Sequence, residues 1–187
     1  MTPHDHHRPR PGRAAHPHGL LRTLTAPLTR LRRHLRAGHG ADRQTSPFDA
    51  LMGEVMANAE RFGHRQHVHL TWLAVRRYGT GAAVDLVSDG IRRTARYAGA
   101  PQKYNATVSR AWVELVGHHA DQSDAGDFDA FAGRNPALFD KRLLTRFYRS
   151  STLAGDTART GWVEPDLAPF PWHRADGEGA RSATGAP

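Results

Sequence analysis

The stretch Phe62-Gly63-His64-Arg65-Gln66-His67-Val68-His69-Leu70-Thr71-Trp72-Leu73-Ala74-Val75 decides how this 187-residue chain is read. It lies between Gly63 and the breaker Gly79-Thr80-Gly81, and it reads as a helix from His64 to Tyr78. Val68, Leu70, Trp72, Leu73 and Val75 make that helix apolar on more than one face, which predicts a central position. Upstream, Ser46-Pro47 is a helix start signal, and Phe48, Leu51, Met52, Val55, Met56, Ala59 and Phe62 follow a period near 3.6. Downstream, Thr80 caps a third helix with Ala83, Val84, Val87, Ile91 and Ala95 on one side. Gly99-Ala100-Pro101 then leads into a fourth helix near residues 102–119, with Tyr104, Val108, Ala111, Trp112 and Leu115 as its core stripe.

The remaining segments extend the same pattern. The acidic stretch 121–129 reads as a loop ending in a short helical turn at Phe128 and Phe131. Asn135-Pro136 repeats the cap-and-proline signal for a fifth helix carrying Phe139, Leu143, Leu144, Phe147 and Tyr148. Ser151 caps a last short helix through Arg159. Pro165, Pro169 and Pro171, interleaved with Trp162, Phe170 and Trp172, predict an extended arm that packs its aromatics onto the bundle. Without a sustained apolar–polar alternation, the expected fold is all-α: a compact bundle of about five helices over residues 46–172.

Charge divides the chain further. Residues 1–45 hold nine Arg and two Asp, a net of +7, whereas residues 46–187 hold 17 basic and 16 acidic side chains. The excess therefore belongs to an N-terminal extension, and nucleic-acid binding by the near-neutral folded part is not expected. Residues 1–19, rich in Pro, His, Arg and Gly, predict disorder, as do residues 173–187. Within the extension Leu20, Leu24, Leu28, Leu31 and Leu35 form a helical stripe among arginines. A short basic amphipathic helix starting near Pro27 would suit a membrane surface or an acidic partner through residues 20–36.

Several chemistries are excluded. With no cysteine there is no disulfide, thiolate nucleophile or thiolate-held metal. Apolar runs are too short for a membrane-spanning helix, which needs roughly 18 residues, and Arg and His interrupt the early ones, so no secretory signal is expected and the compartment reads as cytoplasmic. The phosphate-binding loop, the dinucleotide fingerprint, the serine-hydrolase elbow and His-Glu-x-x-His are all missing.

The candidate chemistry lies at the start of the central helix. His64 and His67 are three residues apart and share a helical face, so they are the candidate ligands of a divalent metal. His69 lies about 140° from His64 around the helix and should point elsewhere. Glu60, Glu114, His118, His119 and Asp156 are open alternatives for a third ligand. Arg65 could hold an anionic group of a small-molecule ligand or assist catalysis, and in a metal-free site a His would serve as general base. Tyr104 is a candidate catalytic donor and Asn105 a candidate substrate contact. The expected function is small-molecule binding, in one version by a metal-dependent enzyme. The alternative is a non-catalytic interaction or scaffold protein docking through residues 20–36.

Phe62-x-His64-Arg65-x-His67-Val68-x-Leu70-x-Trp72, then Tyr104-Asn105-x-Thr107, Asn135-Pro136-x-Leu138 and Leu153-x-x-Asp156-x-Ala158-Arg159 resemble a largely uncharacterised family of small bacterial all-helical proteins. The resemblance spans about residues 48–166 and implies a compact helical domain. Its second motif usually reads Tyr-His-x-Thr, often with Glu after the His, where this chain has Asn105 and Ala106. If shared His residues of the family held a metal, the matching positions here would be His64, His67 and Asn105, and Asn is a weak ligand for zinc or copper.

Overall fold

The computed structural model describes residues 45–173. The basic extension expected over 1–45, its helix at 20–36 and the tail expected over 173–187 fall outside these residues, save residues 45 and 173 themselves. Among the described residues the fold is all-α, a helical bundle without strands.

Helix α1 (Pro47–Met56) starts where the sequence signals it: Ser46 Oγ accepts from the Asp49 backbone N–H at 3.2 Å, and Pro47 occupies the first turn. Phe48, Leu51, Met52, Val55 and Met56 are its buried face. Helix α2 (His64–Tyr97) joins the second and third expected helices across a kink at Gly79, where φ is 77° and ψ 160°. That backbone region is open essentially to glycine alone. Before the kink, the run Leu70 to Val75 is wholly buried, which makes this half of α2 the centre of the bundle.

Two glycines let neighbouring elements approach closely. The Phe48 ring of α1 lies where a side chain at Gly90 of α2 would begin, with Cδ2 only 2.0 Å from an ideal Cβ position. Helix α3 (Ala106–Asp121) makes the largest helix–helix interface, with α2, and its Gly117 receives Thr80 just beyond the kink.

Helix α3 begins four residues later than the expected 102. Pro101 opens a 3-10 turn (Pro101–Lys103), Tyr104 is extended, and Asn105 takes the cap by accepting from the Val108 N–H at 2.9 Å. A polar cap of this kind sets a helix start more sharply than an apolar stripe does. Asp127 likewise caps the short helix α4 (Phe128–Arg134).

The expected fifth helix does not form. Its residues make two 3-10 turns, Pro136–Phe139 and Leu143–Arg146, separated by Asp140. The Asp140 carboxylate accepts from the Arg142 N–H at 2.9 Å and its carbonyl from the Leu143 N–H at 2.9 Å, which turns the chain before a helix can propagate. Leu138, Leu143, Leu144 and Tyr148 are buried all the same. The expected helix over 151–159 divides at the extended Gly155 into α5 (Ser150–Ala154) and α6 (Asp156–Thr160).

The C-terminal arm packs as its composition predicts. Buried Thr107 donates from Oγ1 to the Gly161 carbonyl at 2.7 Å and accepts from the Val163 N–H at 3.0 Å. The Tyr148 hydroxyl donates to the Val163 carbonyl at 2.9 Å. Phe170 is fully enclosed and stacks on Trp172 with ring centres 4.6 Å apart. Among the described residues no helix is long and apolar enough to cross a membrane.

Candidate functional site

His64 and His67 enter the bundle on the first turn of α2. Gly63 precedes that turn with no side chain to cap it, and its N–H donates instead to Gln66 Oε1 at 3.1 Å. His64 Nε2 lies 2.9 Å from the Leu138 carbonyl oxygen. A carbonyl can only accept, so Nε2 carries the proton and Nδ1 keeps its lone pair. The imidazole also meets the Trp112 indole edge to face, with centroids 4.7 Å apart. Burial lowers the His64 pKa; the Leu138 bond opposes this, Lys141 adds to it and Asp140 opposes it.

His67 is the more confined base. Some of its surface still reaches solvent, yet neighbouring atoms enclose the ring densely, and that enclosure governs its titration. Burial, followed by the neighbouring His64, lowers its pKa to about 3. It packs edgewise on Phe62 at 4.3 Å, and no hydrogen bond to its ring occurs among the described residues. Both imidazoles are therefore neutral at ordinary pH, the form with a lone pair to offer.

The other nominated residues are occupied elsewhere. Arg65 reaches Asp129 at 2.6 Å and lies over Phe128 and Phe139 at 5.1 and 5.4 Å. Both partners of this ion pair are exposed, so it adds little stability. Asn105 is used at both ends of its amide: Oδ1 caps α3, and Nδ2 donates to the Leu153 carbonyl at 2.7 Å. Tyr104 packs against the core. Among the described residues no hydrogen bond or ring contact joins Tyr104 or Asn105 to either imidazole. His69 turns to another face, as its angle predicts, and stacks on Phe128 at 4.0 Å.

The proposed third ligands are likewise dispersed. Glu114 accepts from Arg110 Nε at 2.6 Å. His118 lies 3.1 Å from the Gln122 amide nitrogen and packs near Trp172, and His119 is hydrogen-bonded by the Asn135 side chain. No group of three His, Asp or Glu suited to a metal occurs among the described residues. The chain matches no family model, no curated protein and no solved structure. Among the described residues a centre of three protein ligands does not fit the two imidazoles on hand, and Asn105, considered above as a further ligand, already caps α3 and holds Leu153.

One participant escapes sequence reasoning. Trp112, read there only as part of the α3 core stripe, packs edge to face on His64, and its buried Nε1–H has no hydrogen-bond partner among the described residues. The available signal was chemical: a tryptophan on a packed face brings an N–H that ordinarily needs an acceptor.

Proposed function

We propose that this is a small-molecule-binding helical protein, cytoplasmic in this reading, whose recognition centre is the imidazole pair His64 and His67. The observation that carries the reading is the division of labour at His64: Nε2 is committed to the Leu138 carbonyl, which fixes the tautomer and leaves Nδ1 to accept from a guest. His67, on the same face of α2 and without a hydrogen bond to hold its ring, supplies a second neutral polar group. Arg65 is paired with Asp129, Asn105 with Leu153, and Tyr104 packs against the core, so the reading rests on the two imidazoles. With two protein ligands in reach, a divalent metal would depend on water or the guest to complete its shell, so a metal-dependent enzyme is the less supported version.

The test is to follow the imidazole nitrogens of the untagged protein by NMR during titration with a fragment panel that includes Zn2+. Saturable shifts at His64 and His67, absent from a His64→Ala, His67→Ala variant that keeps its fold, are expected. If no fragment at millimolar concentration moves either ring, the reading fails. Elemental analysis decides the metal version separately: stoichiometry near zero in both proteins removes it.

A further inference from the structure

Residues 164–169 and His173 of the C-terminal arm enclose an open groove of about 330 Å³. Pro165, Leu167, Ala168 and Pro169 give it an apolar wall, and Leu167 is 49% exposed there. Two carboxylates stand on its rim. Asp166 is answered by Arg149 and by the Thr152 hydroxyl. Glu164, which is exposed, accepts from the Trp162 indole N–H at 2.6 Å, an uncharged donor that leaves the negative charge in place. Around this arm Glu164, Glu114 and Asp166 outnumber Arg110 and Arg149.

An apolar wall with an acidic rim is the complement of a leucine stripe edged with arginines. This chain carries such a stripe outside the described residues: Leu28, Leu31 and Leu35 recur at helical spacing after Pro27, beside Arg30, Arg32, Arg33 and Arg36, in an extension of net charge +7. We propose that residues 20–36 dock in the groove of their own chain, seating these leucines on Leu167 and Pro169 and an arginine against Glu164. The volume fits. At about 30 Å³ for each heavy-atom group, the groove takes two or three leucine side chains and nothing as large as a folded partner.

The reach fits as well. Helices α2 and α3 run antiparallel beyond the kink, where Thr80 of one meets Gly117 of the other. Ten residues on from Thr80 lies Gly90, which receives Phe48 of α1. Ten residues back from Gly117 lies Thr107, which holds the arm at Gly161 and Val163. The start of α1 and the arm are therefore level, one against α2 and the other against α3, roughly 20–30 Å apart at helix spacings of about 8–10 Å. Residues 37–45 extend to about 30 Å, enough to bring Arg36 to the groove. So short a tether holds the segment at an effective concentration of about millimolar, where a contact too weak to persist between separate chains is occupied within one. While docked, the leucines are withheld from any membrane or other acidic surface.

The chain has no cysteine, so Thr29→Cys in the 15N-labelled full-length protein takes a single nitroxide between Leu28 and Arg30. Selective broadening of the Leu167 and Ala168 amide signals is expected. The docked-to-free ratio should fall roughly tenfold in a Leu28→Asp, Leu31→Asp protein, which loses the apolar contact. Glu164→Gln keeps an oxygen for Trp162 and removes only the charge, and it should lower the ratio about two- to fivefold. No broadening at the groove overturns the proposal, and so does broadening spread evenly over α1, α2 and the arm. Nitroxide-bearing unlabelled chains mixed with nitroxide-free 15N chains supply the third check: broadening there means that the segment docks on a second copy, which also overturns it. Broadening unchanged in both variants would show that neither leucine nor charge holds the segment in the groove, and the proposal falls.

Discussion

His67 is a base held where it cannot readily take a proton. Its pKa lies near 3 in the folded chain against an ordinary 6.5, chiefly because burial penalises the charged ring. Between those two values the unfolded chain binds a proton that the folded chain refuses, so stability falls as the pH drops through that window and is fully present above it. His64, shifted in the same direction by burial, adds to the effect. Each pH unit inside the window is worth about 1.4 kcal/mol for one such group, so lowering the pH from 7 to 5 should cost about 2 kcal/mol through His67. Urea unfolding at the two pH values checks this. His67→Phe, which leaves an aromatic ring against Phe62, should lose distinctly less stability on acidification; an equal loss would place the sensitivity elsewhere. The His-x-x-His spacing was legible in the sequence, but whether those rings were neutral or protonated was not. That depends on Phe62, Trp112 and Leu138, which belong to other elements.

At the scale of the elements, glycines decide how closely helices meet. Gly79→Ala should cost about 1–3 kcal/mol, since no other residue readily adopts its backbone conformation. Gly90→Ala should cost a similar amount for a different reason: the added methyl would overlap the Phe48 ring, which is itself buried and has nowhere to go. Gly53, exposed on α1 with nothing within 4 Å of where a methyl would sit, is the control, and Gly53→Ala should stabilise by about 0.5–1 kcal/mol. Thermal or urea unfolding of the three variants separates strain, overlap and helix propensity, and a Gly90→Ala protein as stable as the parent would refute the packing account. Helix α1 and both halves of α2 were readable from a 3.6-residue repeat or a continuous apolar run, whereas α3 buries Thr107, Val113 and Val116, which lie outside the stripe read from its sequence. Residues 139–148 carry a similar apolar pattern, yet Asp140 diverts the backbone into turns, a local competition that hydrophobic spacing does not register.

For the molecule as a whole, the C-terminal arm completes the core. Phe170 lies at 0% exposure between Phe147 and Trp172, and Val163 is tied to both Tyr148 and Thr107. Phe170→Ala should therefore destabilise the protein by about 3–5 kcal/mol, as removal of a core aromatic does, although it lies far along the chain from the central helix. A cooperative transition shifted to lower urea concentration is the expected measurement, and an unchanged midpoint would mean that the arm is only a surface dressing. Its proline and aromatic content announced that it would pack; where it packs is set by Thr107 and Tyr148, more than fifty and about fifteen residues earlier in the chain.

By itself the sequence determined the all-helical class, the faces that α1 and α2 bury, part of the face of α3 (Ala111 and Leu115), the break at Gly79 and the pairing of His64 with His67 on one face, because these follow from local backbone preference and the 3.6-residue repeat. Tertiary structure alone decided that Arg65 and Asn105 serve as ties, that Leu138 fixes the His64 proton and that Trp112 packs against the His64 ring. Those outcomes depend on which atoms from distant segments arrive within about 3 Å of one another, and a repeat along one helix carries no information about that.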